Sequence, residues 1–193
     1  MKQRKIERYY VTFEKKAPKP FAWTFDIVDS VKVSLIVVGL IFMFAFRVVG
    51  VEGDSMNNTL HDGDWLAITS VNFDYDHGDI VVVAQPWVRN IPIIKRVIAV
   101  SGDTIDIDFD NGIVTLNGEV LDEPYIAEPT HLQYNANLPM TIPEGYVFVM
   151  GDNRNDSLDS RSAKVGLIDK RYILGKAFFR FYPDTGILNR EAD

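Results

Sequence analysis

One stretch restricts this chain more than any other. From Val33 to Phe46 no residue is charged, and past Arg47 the chain stays apolar to Val51. The 14 uncharged residues make a helix only about 21 Å long, short of the roughly 30 Å hydrocarbon core of a bilayer. With Arg47 near one end, where it can snorkel, the run reaches 19 residues and suffices. A buried core helix would show a polar face, and Ser34 alone offers one. A removable signal peptide needs a short basic head, whereas more than 30 residues precede this run and Val48-Val49-Gly50 makes a poor cleavage site. The expectation is one retained transmembrane helix over residues 31–51.

Charge orients that anchor. Residues 1–30 hold seven Lys/Arg against four acids, a net of +3 in a chain that totals -7, so the remainder carries -10. A basic head before the run and an acidic body after it predict a cytoplasmic N-terminus. Residues 1–30 read as a cytoplasmic head and interfacial segment, with Phe21, Trp23 and Phe25 at the depth where aromatics favour the membrane interface. The acidic body lacks the basic stripe that nucleic-acid binding requires. With no cysteine, disulfides, thiolate metal sites and a cysteine nucleophile are excluded.

Residues 52–193 read as a separate, β-rich domain. Trp65–Thr69, Asp79–Ala84, Ile93–Val100, Thr104–Asp108, Ile113–Leu116, Tyr146–Met150 and Lys176–Tyr182 are mostly rich in β-branched or aromatic residues. Between them stand turn pairs such as Asn111-Gly112 and Asn117-Gly118, which favour tight hairpins because both residues tolerate positive φ. Pro124–Pro143 has weak periodicity and reads as a long loop or small lobe inserted over about residues 108–143. Only Asp159–Tyr172 has room for a short helix. The sum is a mostly β domain of antiparallel sheets in a partly closed barrel.

Ser55 lies in a turn-like setting directly after the apolar run. A serine hydroxyl is a weak nucleophile and needs a base within hydrogen-bond reach. His61, His77 and His131 all fall in turns or polar loops, where a solvated histidine is the usual state. Ser55 also lacks the G-x-S-x-G elbow of the α/β-hydrolases. The other base is a lysine kept neutral by burial. In Ile93-Ile94-Lys95-Arg96-Val97-Ile98-Ala99-Val100, alternation puts Lys95 on the face of Ile93, Val97 and Ala99, and Arg96 on the opposite one. On the strand alone, a lysine snorkelling to a sheet edge explains Lys95 equally well. A third stretch, Gly151 to Arg161, is dense in turn formers. As a calcium loop it fails, with Arg154 and Ser157 where an acceptor and a glycine belong. A hydrogen-bonded shell around catalytic groups remains.

Ser55-Met56 with Thr59-Leu60, then Gly63-Asp64, then Lys95-Arg96-Val97 leading to Gly102-Asp103, resembles bacterial type I signal peptidase. So does Gly151-Asp152-Asn153-Arg154 running through Ser157, Asp159, Ser160 and Arg161. The blocks stand in that family's order over roughly residues 21–182, and the single anchor is similar to its Gram-positive members.

The resemblance implies a membrane-anchored Ser/Lys-dyad endopeptidase that removes signal peptides after small-x-small sites on the outer face of the membrane. Ser55 would be the nucleophile and Lys95 the general base. Ser157 would hold the Lys95 amine, Asp159 and Arg161 would pair to support the site, and the Ser55 N–H would donate to the oxyanion. Val51, Met56, Leu60, Ile93 and Ile94 would line pockets for small side chains of a substrate added as a strand. It implies preproteins as substrates, the lipid bilayer as a partner, proximity to the secretion translocase, and no cofactor or metal. Two positions depart from the pattern. Asn58 stands where a proline is common, and Gly53 stands where some members have a serine that donates to the oxyanion. Two other readings are a repressor-type self-cleaving Ser/Lys peptidase and a non-catalytic anchored β-domain for surface assembly.

Overall fold

The computed structural model describes residues 22–70, 74–84 and 91–188, without the side chains of 22–26 and 41–45. The head expected at 1–20 and the interfacial side chains of Phe21, Trp23 and Phe25 lie outside these residues. The chain divides after Ile41 into two compact units.

Helix α1 (Ala22–Ala45) occupies most of the apolar run. Its described side chains are largely exposed, among them Leu35, Ile36 and Val37, and Lys32 pairs with Asp29 across one turn (3.1 Å). Among the described residues no helix is long and apolar enough to cross a membrane. The helix expected to run to residue 51 ends at Ala45. Phe46–Gly50 is strand β1, in antiparallel register with Trp65–Thr69 (β2) from Phe46 opposite Thr69 to Gly50 opposite Trp65. The physical reason lies in Val48-Val49, β-branched residues that suit a pleated strand. Val49 packs on the core while Val48 stays exposed.

The second unit is mostly β, and every strand pair in it is antiparallel. After β2 come β3 (Ile80–Val83), β4 (Ile93–Ala99), β5 (Thr104–Asp108), β6 (Ile113–Leu116), β7 (Glu119–Val120), β8 (Met140–Thr141), β9 (Tyr146–Met150), β10 (Ile168–Asp169), β11 (Ile173–Tyr182) and β12 (Gly186–Ile187). The main sheet runs β1-β2-β11-β3-β4-β9-β10, with β12 on β11, and its two edges do not pair with each other. A smaller sheet, β7-β6-β5-β8, is built from strands between Thr104 and Thr141. The helix expected within 159–172 shrinks to one 3-10 turn, Lys170–Tyr172, capped by Asp169.

Strand β3 explains why the main sheet is firm at its centre. Ile80 and Val82 face one apolar cluster with Met56, Leu60, Leu66 and Ile68, while Val81 and Val83 face a second with Val97, Val147 and Val149. A strand buried on both faces reads as a continuous apolar run, which is what Ile80–Val83 is. Ile98, Ile105, Ile107, Val114, Phe148 and Met150 form a third cluster between the sheets.

Candidate active site

Ser55 stands on a turn held from several sides. Val51 N–H donates to the Asp64 carbonyl (2.8 Å), and Gly63 N–H donates to the Val51 carbonyl (3.0 Å). Gly53, at φ 84°, has a conformation that glycine adopts without strain, and its N–H donates to the Asp62 carboxylate (2.8 Å). Below the turn Met56 and Leu60 are buried in the first apolar cluster. From the far strand Arg180 donates to the Thr59 carbonyl (3.2 Å) and to Asp64 (3.1 Å).

Lys95 reaches this turn from β4. Lys95 sits opposite Val81 and Arg96 opposite Ile80, so the neighbours occupy opposite faces, as alternation requires. Ile93 and Val97 share the Lys95 face, but Ala99 does not; the ladder to β9 shifts register between Val97 and Ala99, and Ala99 joins the third cluster. Lys95 is 3 % exposed. Its Nζ donates to Ser55 Oγ (2.6 Å) and to the Ile94 carbonyl (2.7 Å). Of the histidines, His77 Nε2 meets Asp103 (2.7 Å) and His131 Nδ1 meets the Phe109 carbonyl (3.0 Å), and none of the three lines the cleft at Ser55.

The stretch 151–161 packs beneath the Ser55 turn. Asn153 N–H donates to the Ser55 carbonyl (3.1 Å) and its side-chain amide to the Asp54 carbonyl (3.1 Å). A methyl group at Gly151 would overlap the Ser55 carbonyl oxygen and Ser157 Oγ, so this approach needs glycine. Asp159 and Arg161 form a fully buried, two-bond pair (2.8 Å each), and Asp159 also accepts from Gly151 N–H (3.0 Å). Ser157 corrects the expectation placed on it. It is buried beside Gly151, but its Oγ has no hydrogen-bond partner among the described residues, and Lys95 donates to Ser55 Oγ and to the Ile94 carbonyl.

A second network was not read from the sequence. The Arg96 guanidinium donates twice to Asp152 (2.8 and 2.7 Å) and once to the Gly78 carbonyl (2.9 Å). Thr59 Oγ1 donates to the same carboxylate (2.5 Å). Arg154 makes a two-bond pair with Glu123 (2.7 and 2.5 Å) and donates to Thr130 (3.0 Å). The Tyr125 ring lies under Arg96 (3.9 Å) and near Arg154 (5.8 Å), within cation–π range. Burial pushes the Tyr125 phenol well above its ordinary value, with Glu123 adding to the effect. Burial also works against the charge on Arg154, but the Glu123 carboxylate outweighs it and raises the guanidinium above its usual value. The chain after β7 is thereby clamped to β4 and to the stretch 151–161. The only signal in the sequence was Glu123 and Tyr125 near the start of a polar, aperiodic loop.

An open cleft of about 220 Å³ runs beside Ser55. Val51, Met56, Ile93 and Ile94 line it. Leu60 does not; it is 0 % exposed in the apolar cluster below the turn. Leu158, 37 % exposed, and Pro92 line the cleft and were missed. Among the described residues no group of three His, Asp or Glu is placed to hold a metal ion.

Residues 24–182 match the family model described as signal peptidase, peptidase S26. The chain is 36 % identical over 169 residues to signal peptidase I of Bacillus licheniformis, covering 82 % of this chain and 89 % of that one. It is 38 % identical over 180 residues to probable signal peptidase I-1 of Synechocystis sp., covering 86 % and 88 %. A crystal structure of a signal peptidase I from Enterococcus faecalis is 29 % identical, with a TM-score of 0.45 over 54 % of this chain and 97 % of that one.

Proposed function

The chain belongs to the signal peptidase family, peptidase S26, whose members are serine peptidases, and from that premise we propose that Ser55 and Lys95 are its catalytic dyad. The observation that carries this reading is the 2.6 Å separation of Lys95 Nζ from Ser55 Oγ with the amine buried. Burial disfavours a charged amine, and the neutral amine has a lone pair to accept the Ser55 proton. The Ile94 carbonyl keeps Nζ aimed by accepting one of its hydrogens.

The reaction runs in two halves. Ser55 Oγ attacks the scissile carbonyl as Lys95 takes its proton. The tetrahedral oxyanion accepts from the Ser55 N–H. Lys95 then returns the proton to the leaving amine, which frees the mature protein and leaves an ester on Ser55. Water, deprotonated by the same amine, releases the signal peptide and restores Ser55. Gly53 brings no hydroxyl to the oxyanion, and its N–H is already engaged by Asp62. Asp159, Arg161 and Gly151 keep the loop against the Ser55 carbonyl and do not react. The cleft walls of Val51, Met56, Ile93 and Ile94 suit small apolar side chains before the cleaved bond.

The same proposal places α1 in the membrane with the N-terminus inside and residues 52–193 outside. Supporting it are the exposed apolar side chains between Ile27 and Leu40 and the +3 charge of residues 1–30. Preproteins, lipid and the neighbouring translocase are the partners on this reading.

The experiment is cleavage, in detergent, of a preprotein with a small-x-small site by the wild type, Ser55→Ala and Lys95→Ala. Both variants should lose at least about 10³-fold in kcat/KM while retaining the wild-type circular dichroism spectrum. Retained activity in Lys95→Ala would remove the lysine from the mechanism.

A further inference from the structure

Two of the side chains that line the cleft ionise: Lys95, buried against Ser55, and Glu52, exposed at its wall. Glu52 follows β1, an edge strand of the main sheet. Val51 directs both its backbone groups to one side, its N–H to Asp64 and its carbonyl to Gly63. Extended continuation of β1 through Glu52 would turn its backbone groups the other way, toward an incoming strand. The side chains alternate as well: Val51 is buried against the core, and Glu52 is exposed.

A peptide added along this edge therefore presents two kinds of residue. Its two small side chains, on the face of Val51, meet the apolar wall. The residue between them lies on the face of Glu52. Two carboxylates nearby in the chain have the same sign. Asp62 is held by the Gly53 N–H, and Asp54 accepts from the Asn57 side chain (3.3 Å). Residues 51–62 hold Glu52, Asp54 and Asp62 and no Lys or Arg, a local excess of negative charge.

We propose that Glu52 determines specificity at the middle residue of the small-x-small site, favouring a basic side chain and disfavouring an acidic one. The proposal rests on the dyad reading above, since it assumes a substrate strand leading to Ser55. An exposed charge pair is weak, so the expected preference is about 3–10-fold in kcat/KM for Lys over Glu at that position.

The test uses full-length protein in detergent and three preproteins that differ only in Lys, Gln or Glu at the middle position. At low ionic strength the wild type should rank them Lys, Gln, Glu. Glu52→Gln should bring the Lys:Glu ratio to within about twofold, and Glu52→Lys should invert it. Raising salt to about 0.5 M should compress the wild-type ratio, because exposed charges are screened. A merely structural role for Glu52 would lower cleavage of all three alike and leave the ratio unmoved. That result, or a charge preference at a neighbouring substrate position, overturns the proposal while leaving the dyad in place. Failure of the wild type to cleave any of the three overturns both.

Discussion

Lys95 and Arg96 are adjacent, both buried, and both cationic by type, yet β4 sends them into opposite settings. Arg96 meets a carboxylate through two bonds and is flanked by the Tyr125 ring. Lys95 meets a hydroxyl and a backbone carbonyl, both neutral acceptors. The two parallel bonds fix the Arg96 guanidinium in one geometry. On the proposed reading, the Lys95 amine gives up a proton and takes it back. One strand thus supplies a scaffold on one face and, on the proposed reading, chemistry on the other, and a one-residue change of register would exchange them.

The largest expected effect breaks the scaffold side. Asp152→Asn leaves Arg96 buried without its counter-charge and should cost about 3–5 kcal/mol of stability, read by chemical denaturation in detergent. A loss under about 1 kcal/mol would mean that packing, and not the ion pair, holds that face. A smaller effect sharpens the contrast at a carboxylate remote from the cleft. Asp103 links three turns through His77, the Val100 N–H and Asn117. Partial burial opposes its charge, yet these donors together hold its carboxyl below the usual range. A depressed carboxylate stabilises the fold above its unfolded pKa and loses that contribution as pH falls through the folded value. Melting temperature should therefore drop below about pH 4, and Asp103→Asn should show a shallower drop over the same window.

The contact between Lys95 and Ser55 was legible because the two residues sit in local patterns: a serine after a run that ends in a turn, and a lysine in an alternating strand. Alternation over Ile93–Val97 placed Lys95 and Arg96 on their proper faces, and it failed at Ala99, where the ladder shifts register. Strand β1 was hidden because Phe46–Gly50 is apolar like the helix before it. Its strand character comes from β2, a partner distant in sequence. Leu60 and Ser157 were misassigned for a related reason. Motif membership puts a residue near the site, but only packing decides whether its side chain faces cleft or core. The Glu123–Arg154 and Tyr125–Arg96 contacts join a polar loop to residues 29 or more positions away, and no local periodicity marks such pairs.

The most direct test of the central claim is kcat/KM of Lys95→Arg on a small-x-small preprotein, measured beside its melting temperature. Arginine keeps the charge and much of the length but does not surrender a proton. A fall of at least about 10³-fold with the fold intact is the predicted result. Activity within about tenfold of wild type would contradict the account, because a residue that stays protonated cannot be the base that activates Ser55.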